Sequence, residues 1–327
     1  MSYINANAQS LATQVIGRGR VYNDITETIG NTPLVRLSRV MEKYDLGAEF
    51  LAKIESFNPA GSVKDRSAFA MIDAFEKAGE IGPETELLEA TSGNNGVACA
   101  WACAIKGIPI TIVMPEHMSI ERRRMQALFG AKLVLTPKAL GTKGAIDKAD
   151  ELLKTNPNYK MLGQFANPAN PLAHHRTAEE IWADTQGHVD VVIAGIGTGG
   201  TFSGIAEVLK KKNPNIKMIA VEPASCPVLS EGRAGVHQIQ GLSSGHVPDV
   251  LRCDLIDEII TIENEDALSM ARELAKTEGL AVGISSGAAA VAAIQVAKRP
   301  EMKDKTVVTT FADFAERYIS TELFDGL

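Results

Sequence analysis

The chain has 327 residues, 45% of them hydrophobic and 22% charged, with a formal net charge of -7. That length and balance fit a soluble globular protein with room for two ordinary domains, and exclude a disordered or fibrous one. A net negative chain is a poor match for nucleic acid or an anionic membrane surface, so any anion site must be local, built from loops and helix ends.

Residues 1–23 are polar and mixed and read as an N-terminal arm; they carry Arg18 and Arg20 but no apolar stretch followed by a cleavage site, so a secretory signal is not expected. Strands are predicted over 50–54, 86–90, 110–114, 132–135, 189–194, 217–221 and 306–311. Helices are predicted between them over 67–78, 97–105, 119–128, 143–153 and 202–210, and an alanine-rich helix follows Gly287. This alternation predicts an α/β fold of mostly parallel sheets flanked by helices, with ligands bound at the carboxyl ends of the strands. No apolar run approaches the roughly 20 residues a membrane span needs, and the cytoplasm is the expected compartment. Cys99, Cys103, Cys226 and Cys253 show no zinc-ligand spacing and are too few for a disulfide framework. Cys99 and Cys103, one helical turn apart, read as small buried packing residues.

Three polar turns carry the chemistry. Asp190 to Ala194 reads as a buried strand running into Gly195-Ile196-Gly197-Thr198-Gly199-Gly200-Thr201, which satisfies G-x-G-x-x-G and is followed by a helix. With Glu222 closing the next strand, the segment also meets the pattern of a dinucleotide site, so a nicotinamide-dependent dehydrogenase is a rival reading. What such a loop establishes is a phosphate cradle at a helix N-terminus. Ser62-Val63-Lys64-Asp65-Arg66 places a lysine at a turn-to-helix boundary, ordinarily a solvated surface position. Thr91-Ser92-Gly93-Asn94-Asn95-Gly96 concentrates hydroxyl, amide and backbone donors suited to a carboxylate or phenolate. A nucleophilic amine beside a cradle for a phosphorylated ring is what pyridoxal phosphate chemistry requires. Ser286 reads as the N-cap of the alanine-rich helix. Arg317, Tyr318 and the His174-His175 pair read as surface or packing residues, the histidines with little prospect of binding metal.

Ordered blocks run nearly the whole chain: Ile29-Gly30-Asn31-Thr32-Pro33-Leu34-Val35-Arg36-Leu37, Met118-Ser119-Ile120-Glu121-Arg122-Arg123, Phe165-Ala166-Asn167-Pro168-Ala169-Asn170-Pro171, Ile239-Gln240-Gly241 and Glu316-Arg317-Tyr318. With the three turns, they make the chain resemble the fold-type II pyridoxal-phosphate enzymes, and most closely the cysteine synthase (O-acetylserine sulfhydrylase) family. The resemblance implies two domains: a smaller one over 58–168, and a larger phosphate-binding one formed by 24–57 with 169–327. It implies that Lys64 carries the cofactor covalently and acts as general base, that Asn94 sits near the cofactor's phenolic oxygen, and that Gly197, Thr198, Gly199, Gly200 and Thr201 hold its phosphate. By the same resemblance Ser285 meets the pyridine nitrogen, and Thr91, Ser92, Asn95 and Gln164 occupy positions that bind the substrate carboxylate. The implied reaction forms L-cysteine from O-acetylserine and sulfide. Implied partners are a second copy of the chain in a homodimer and the C-terminal tail of serine acetyltransferase.

Three segments differ from the family's usual wording. Asn95 replaces a threonine, Gly241-Leu242-Ser243-Ser244-Gly245-His246 replaces Gly-Ile-Gly-Ala-Gly-Phe, and Asp313 stands where a serine is usual. The first two touch substrate positions, so β-replacement with another activated serine or thiol is the alternative, as in a cystathionine β-synthase-like or O-phosphoserine-using enzyme. A chain ending at Leu327, without a regulatory extension, is expected to be the simple synthase. A binding protein that keeps the fold without turnover is a third reading.

Overall fold

The computed structural model describes residues 18–91, 93–116 and 118–327. The first half runs β1 (Leu34–Arg36), α1 (Ser38–Lys43), β2 (Glu49–Ile54), α2 (Lys64–Lys77), β3 (Glu86–Ala90), α3 (Asn94–Lys106), β4 (Ile110–Pro115), α4 (Ile120–Leu128), β5 (Lys132–Thr136), α5 (Gly141–Thr155) and β6 (Tyr159–Met161). The second runs α6 (Ala169–Ala173), α7 (His175–Asp184), β7 (Val191–Gly195), α8 (Gly200–Lys212), β8 (Lys217–Pro223), α9 (Val228–Glu231), β9 (Glu258–Ile262), α10 (Asn264–Thr277), α11 (Ile284–Ala297) and β10 (Thr306–Phe311).

The strands form two sheets, of order β1-β2-β10-β7-β8-β9 and β5-β4-β3-β6. Every pairing is parallel except β1 with β2. The α/β class expected from the alternating pattern is therefore the one observed. Strands β1, β6 and β9 were not among the predicted ones.

Residue-by-residue alternation along the central strands explains why both faces of the larger sheet are covered. Val191, Ile193 and Val307 pack with α10 and α11 residues such as Leu274, Ile284 and Ala288. Their neighbours Val192, Ala194 and Val308 pack on the other face with Ile181, Phe202 and Ile205. A strand apolar on both sides has no polar face to offer water, the usual state of a parallel sheet. In the smaller sheet, Leu87 and Ile112 face Met71, Ala98 and Trp101, whereas Leu88 and Val113 face Ala145 and Ala149 of α5.

A buried ionic group joins α2, which packs on the smaller sheet, to the larger one. Arg66 donates from Nε to Glu55 at 2.6 Å and from Nη2 to Glu180 at 2.7 Å, and Lys53 adds its ammonium 3.1 Å from Glu180. Removing one partner from such a buried set costs about 3–5 kcal/mol. The group anchors α2 two residues from Lys64.

Candidate active site

Helix α2 begins at Lys64 itself, three residues before the periodic stretch that suggested it. Long-range bonds set the start. Val63 N–H donates to Ala312 O at 2.8 Å, and the Lys64 N–H donates to Ser62 Oγ at 3.2 Å. Asp65 turns back to accept from Ala60 N–H at 2.7 Å. Gly61 holds the turn at φ +82, and a Cβ there would lie 2.8 Å from the Arg317 guanidinium. The lysine is thereby turned inward, with Nζ 3.5 Å from Thr198 Oγ1 of the glycine loop. Burial of the amine holds its pKa down to about 8, against the smaller opposing pull of Cys99 and Glu89. A surface lysine is thus not what the structure contains.

The glycine loop follows β7, as expected. Gly199 takes φ +82 and caps α8, so the first N–H groups of that helix face the loop. A Cβ on Gly197 would stand 2.3 Å from Gly241 O, and one on Gly200 would stand 2.0 Å from Asn170 Oδ1. Only hydrogens fit at these positions. Asn170 Nδ2 donates to Thr198 Oγ1 at 3.0 Å and to Gln164 O at 2.7 Å, tying the cradle to the Gln164 segment. Thr201 Oγ1 lies 3.3 Å from His174 Nε2. His174 is completely buried and kept neutral by desolvation, so it braces the cradle and is not a surface residue.

The Thr91–Gly96 turn leaves β3 and opens α3 with Gly93 as N-cap. Thr91 and Asn95 are buried. Ser92 lies outside the described residues. Asn95 sends its side chain inward, Nδ2 donating to Glu89 Oε1 at 3.0 Å, while Glu89 Oε2 accepts from Gly163 N–H at 2.8 Å. Burial pushes the Glu89 carboxyl up to about 7, more than the Gly163, Gln164 and Asn95 donors pull it down. Glu89 thus joins two candidate substrate segments, the Asn95 turn and Gly163-Gln164. Asn94, first residue of α3, is held by Arg317 and Asp313, at 2.8 Å and 2.5 Å respectively.

Ser285 is the second residue of α11, near Gly241, and a Cβ on that glycine would lie 3.8 Å from its Oγ. The N-cap is Gly283, not Ser286. Ser286 Oγ instead accepts from Ala312 N–H at 3.0 Å and fixes the end of β10.

The sequence matches the family described as pyridoxal-phosphate dependent enzyme over residues 25–313. It is 47% identical over 306 residues to cysteine synthase B of Campylobacter jejuni, covering 93% of this chain and 99% of that one. The fold superposes on O-acetylserine sulfhydrylase isoform 3 of Entamoeba histolytica with TM-score 0.92 and 45% identity, covering 96% and 95% of the two chains. An O-ureido-L-serine synthase superposes with TM-score 0.90 and 40% identity, covering 94% and 96%.

The chain belongs to the pyridoxal-phosphate dependent enzymes.

The residues fit that cofactor. A half-buried lysine with a depressed pKa, and with no carboxylate in ion-pair reach among the described residues, faces a glycine cradle that side chains would fill, and a hydroxyl stands at the start of α11. The dinucleotide reading has no such fit. Glu222, its expected ribose partner, is buried and accepts from Leu229 N–H at 2.7 Å and from Ser230 N–H at 2.9 Å, capping α9. Glu89, Asp313, Arg317 and Asn170 belong to the site and were not singled out for it from sequence. For Glu89 the signal was a carboxylate directly after the apolar pair Leu87-Leu88 of a strand, two residues before the Thr91–Gly96 turn. Arg317 donates to Asn94 and to Ala60 O, and Tyr318 donates to Asp313 at 2.6 Å, so neither is mere surface.

Proposed function

We propose that this pyridoxal-phosphate enzyme replaces the β-acetoxy group of O-acetylserine with sulfide to form L-cysteine. The observation that carries the reading is the inward Lys64 amine, 3.5 Å from Thr198 of the phosphate cradle. When bound, the cofactor withdraws electron density from the substrate's α-carbon, so that the α-proton becomes removable. Lys64 holds the cofactor at rest and takes the α-proton in its neutral form, which a pKa near 8 makes accessible at neutral pH. The α8 N-terminus, with Thr198 and Thr201, binds the phosphate. Asn94 meets the phenolic oxygen and Ser285 the ring nitrogen. A neutral hydroxyl at the nitrogen does not compel its protonation, which suits β-replacement better than transamination. Thr91, Ser92, Asn95 and Gln164 form the carboxylate site, Asn95 through its turn and not through its buried amide. Steady-state rates with O-acetylserine and sulfide test this reading; absence of cysteine formation would remove it.

A second reading has its own observation. The His246 ring lies against the Phe165 ring, tilted by 57° with centroids 5.2 Å apart, next to Gln164, and Ser244 Oγ lies 3.3 Å from His246 Nδ1. That polar rim favours a larger leaving group or nucleophile, as in enzymes using O-phosphoserine or homocysteine. Comparing kcat/KM across these pairs decides between the two.

We further propose the division into a 58–168 domain and a second one built from 24–57 and 169–327, since β3 to β6 share one sheet and the other strands share the second. All four cysteines are free, as in the reducing cytoplasm proposed here. No described helix is long and apolar enough to cross a membrane. The family resemblance supports a homodimer and a cleft that accepts a serine acetyltransferase tail.

A further inference from the structure

Asp313 lies just past β10, between the two segments that present Lys64 and Ser285. Its backbone bridges to Ser62, and its carbonyl accepts from Gly283 N–H at 3.2 Å, at the mouth of α11. The side chain is 1% exposed. Oδ2 accepts two bonds, from Asn94 Nδ2 at 2.5 Å and from Tyr318 Oη at 2.6 Å. Oδ1 has no partner among the described residues. It rests against Gly283, where a Cβ would stand 2.0 Å away. Tyr318 remains a phenol: burial raises its pKa first, and the Asp313 charge raises it further.

A buried carboxylate is costly unless donors meet it, and here one of the donors is a candidate cofactor ligand. A side-chain amide has two ends that differ only in hydrogen bonding, so its partners decide which way it faces. Around Asn94 the partners leave one choice. Arg317 Nη1 donates to Asn94 Oδ1 at 2.8 Å, and Asp313 takes one hydrogen of Nδ2. Reversing the amide would aim NH₂ at a guanidinium and a carbonyl at a carboxylate. Among the described residues, one Nδ2 hydrogen remains uncommitted. We propose that Asp313 is a positioning residue for Asn94, fixing the amide so that this remaining N–H is presented to the cofactor. The proposal rests on the reading that Asn94 faces the phenolic oxygen.

The test is a double-mutant cycle on cofactor binding. Apoprotein of the parent, Asp313→Ser, Asp313→Asn, Asn94→Ala and Asn94→Ala/Asp313→Ser is titrated with pyridoxal phosphate, and the melting temperature of each apoprotein is recorded. Expected is a roughly tenfold weaker cofactor affinity in Asp313→Ser, a similar loss in Asn94→Ala, and no additional loss in the double variant. Asp313→Asn, which keeps an acceptor oxygen in the same place, recovers most of the affinity. An equal loss from Asp313→Ser with and without Asn94 overturns the proposal, because Asp313 would then act by another route. A loss in Asn94→Ala with none in Asp313→Ser overturns it alone. Parent-like affinity in Asn94→Ala removes the assignment of Asn94, and this proposal with it. Should Asp313→Ser not fold, Asp313→Asn still decides: weakening no smaller than that of Asn94→Ala contradicts the positioning role.

Discussion

Asn95 gives its side-chain amide to Glu89: Nδ2 lies 3.0 Å from Oε1, and both side chains are buried. The residue that differs from the usual threonine therefore acts from behind the Thr91–Gly96 turn, on a carboxylate that also holds Gly163. Asn95→Thr shortens that link and leaves the phosphate cradle untouched. The expected result is a change of about 3- to 10-fold in KM for the amino-acid substrate, the size of one hydrogen bond, with cofactor affinity unchanged. Steady-state kinetics beside a cofactor titration check it; a cofactor affinity that moves as much as KM would contradict this geometry.

Glu89 gives a pH signature. Its carboxyl is raised from 4.5 to about 7 by burial. For a group whose folded pKa is raised, stability is fully present below the unfolded pKa and is lost as pH rises through the folded one. Glu89→Gln removes the titration. The melting temperature of the parent relative to Glu89→Gln should therefore fall by about 5 °C between pH 4.5 and pH 8. A difference that is flat over that window would mean the carboxylate is not desolvated.

Lys64→Ala removes the residue proposed as both the covalent attachment and the general base. The purified variant should lack the absorption band of the attached cofactor, and its turnover should fall by roughly 10³-fold or more. A variant that keeps the band would show that another amine carries the cofactor.

Gly197→Ala tests the cradle. The new methyl would meet the backbone carbonyl of Gly241 at 2.3 Å, and since a methyl has no rotamer to change, neither side can yield by turning a side chain. Overpacking of this kind costs about 1–3 kcal/mol. Lower thermal stability together with at least tenfold weaker cofactor binding is expected, and calorimetry with a cofactor titration measures both. Parent-like values would mean the loop is loose and does not grip a phosphate.

The elements that sequence made legible are those whose pattern is local. The central strands β2, β3, β4, β7, β8 and β10 are short runs rich in apolar and β-branched residues set between helical patterns, and the glycine loop announces itself by composition. Strands β1 and β6 have only three residues each, too few for any periodicity. The start of α2 at Lys64 depends on Ala312, far along the chain, so no window around Lys64 contains its cause. The same holds for Asp313. Its partners Asn94 and Gly283 come from separate parts of the sequence, and only the folded chain shows that a carboxylate there holds an amide of the site. His174 read as surface or packing because two adjacent histidines carry no pattern; its bond to Thr201 appears only when α6 meets α8.

The most direct test of the central claim is the absorption spectrum of the purified holoenzyme, recorded as O-acetylserine and then sulfide are added. The cofactor band should shift with O-acetylserine, return with sulfide, and leave one cysteine formed for each O-acetylserine consumed. A band that O-acetylserine does not move would contradict it.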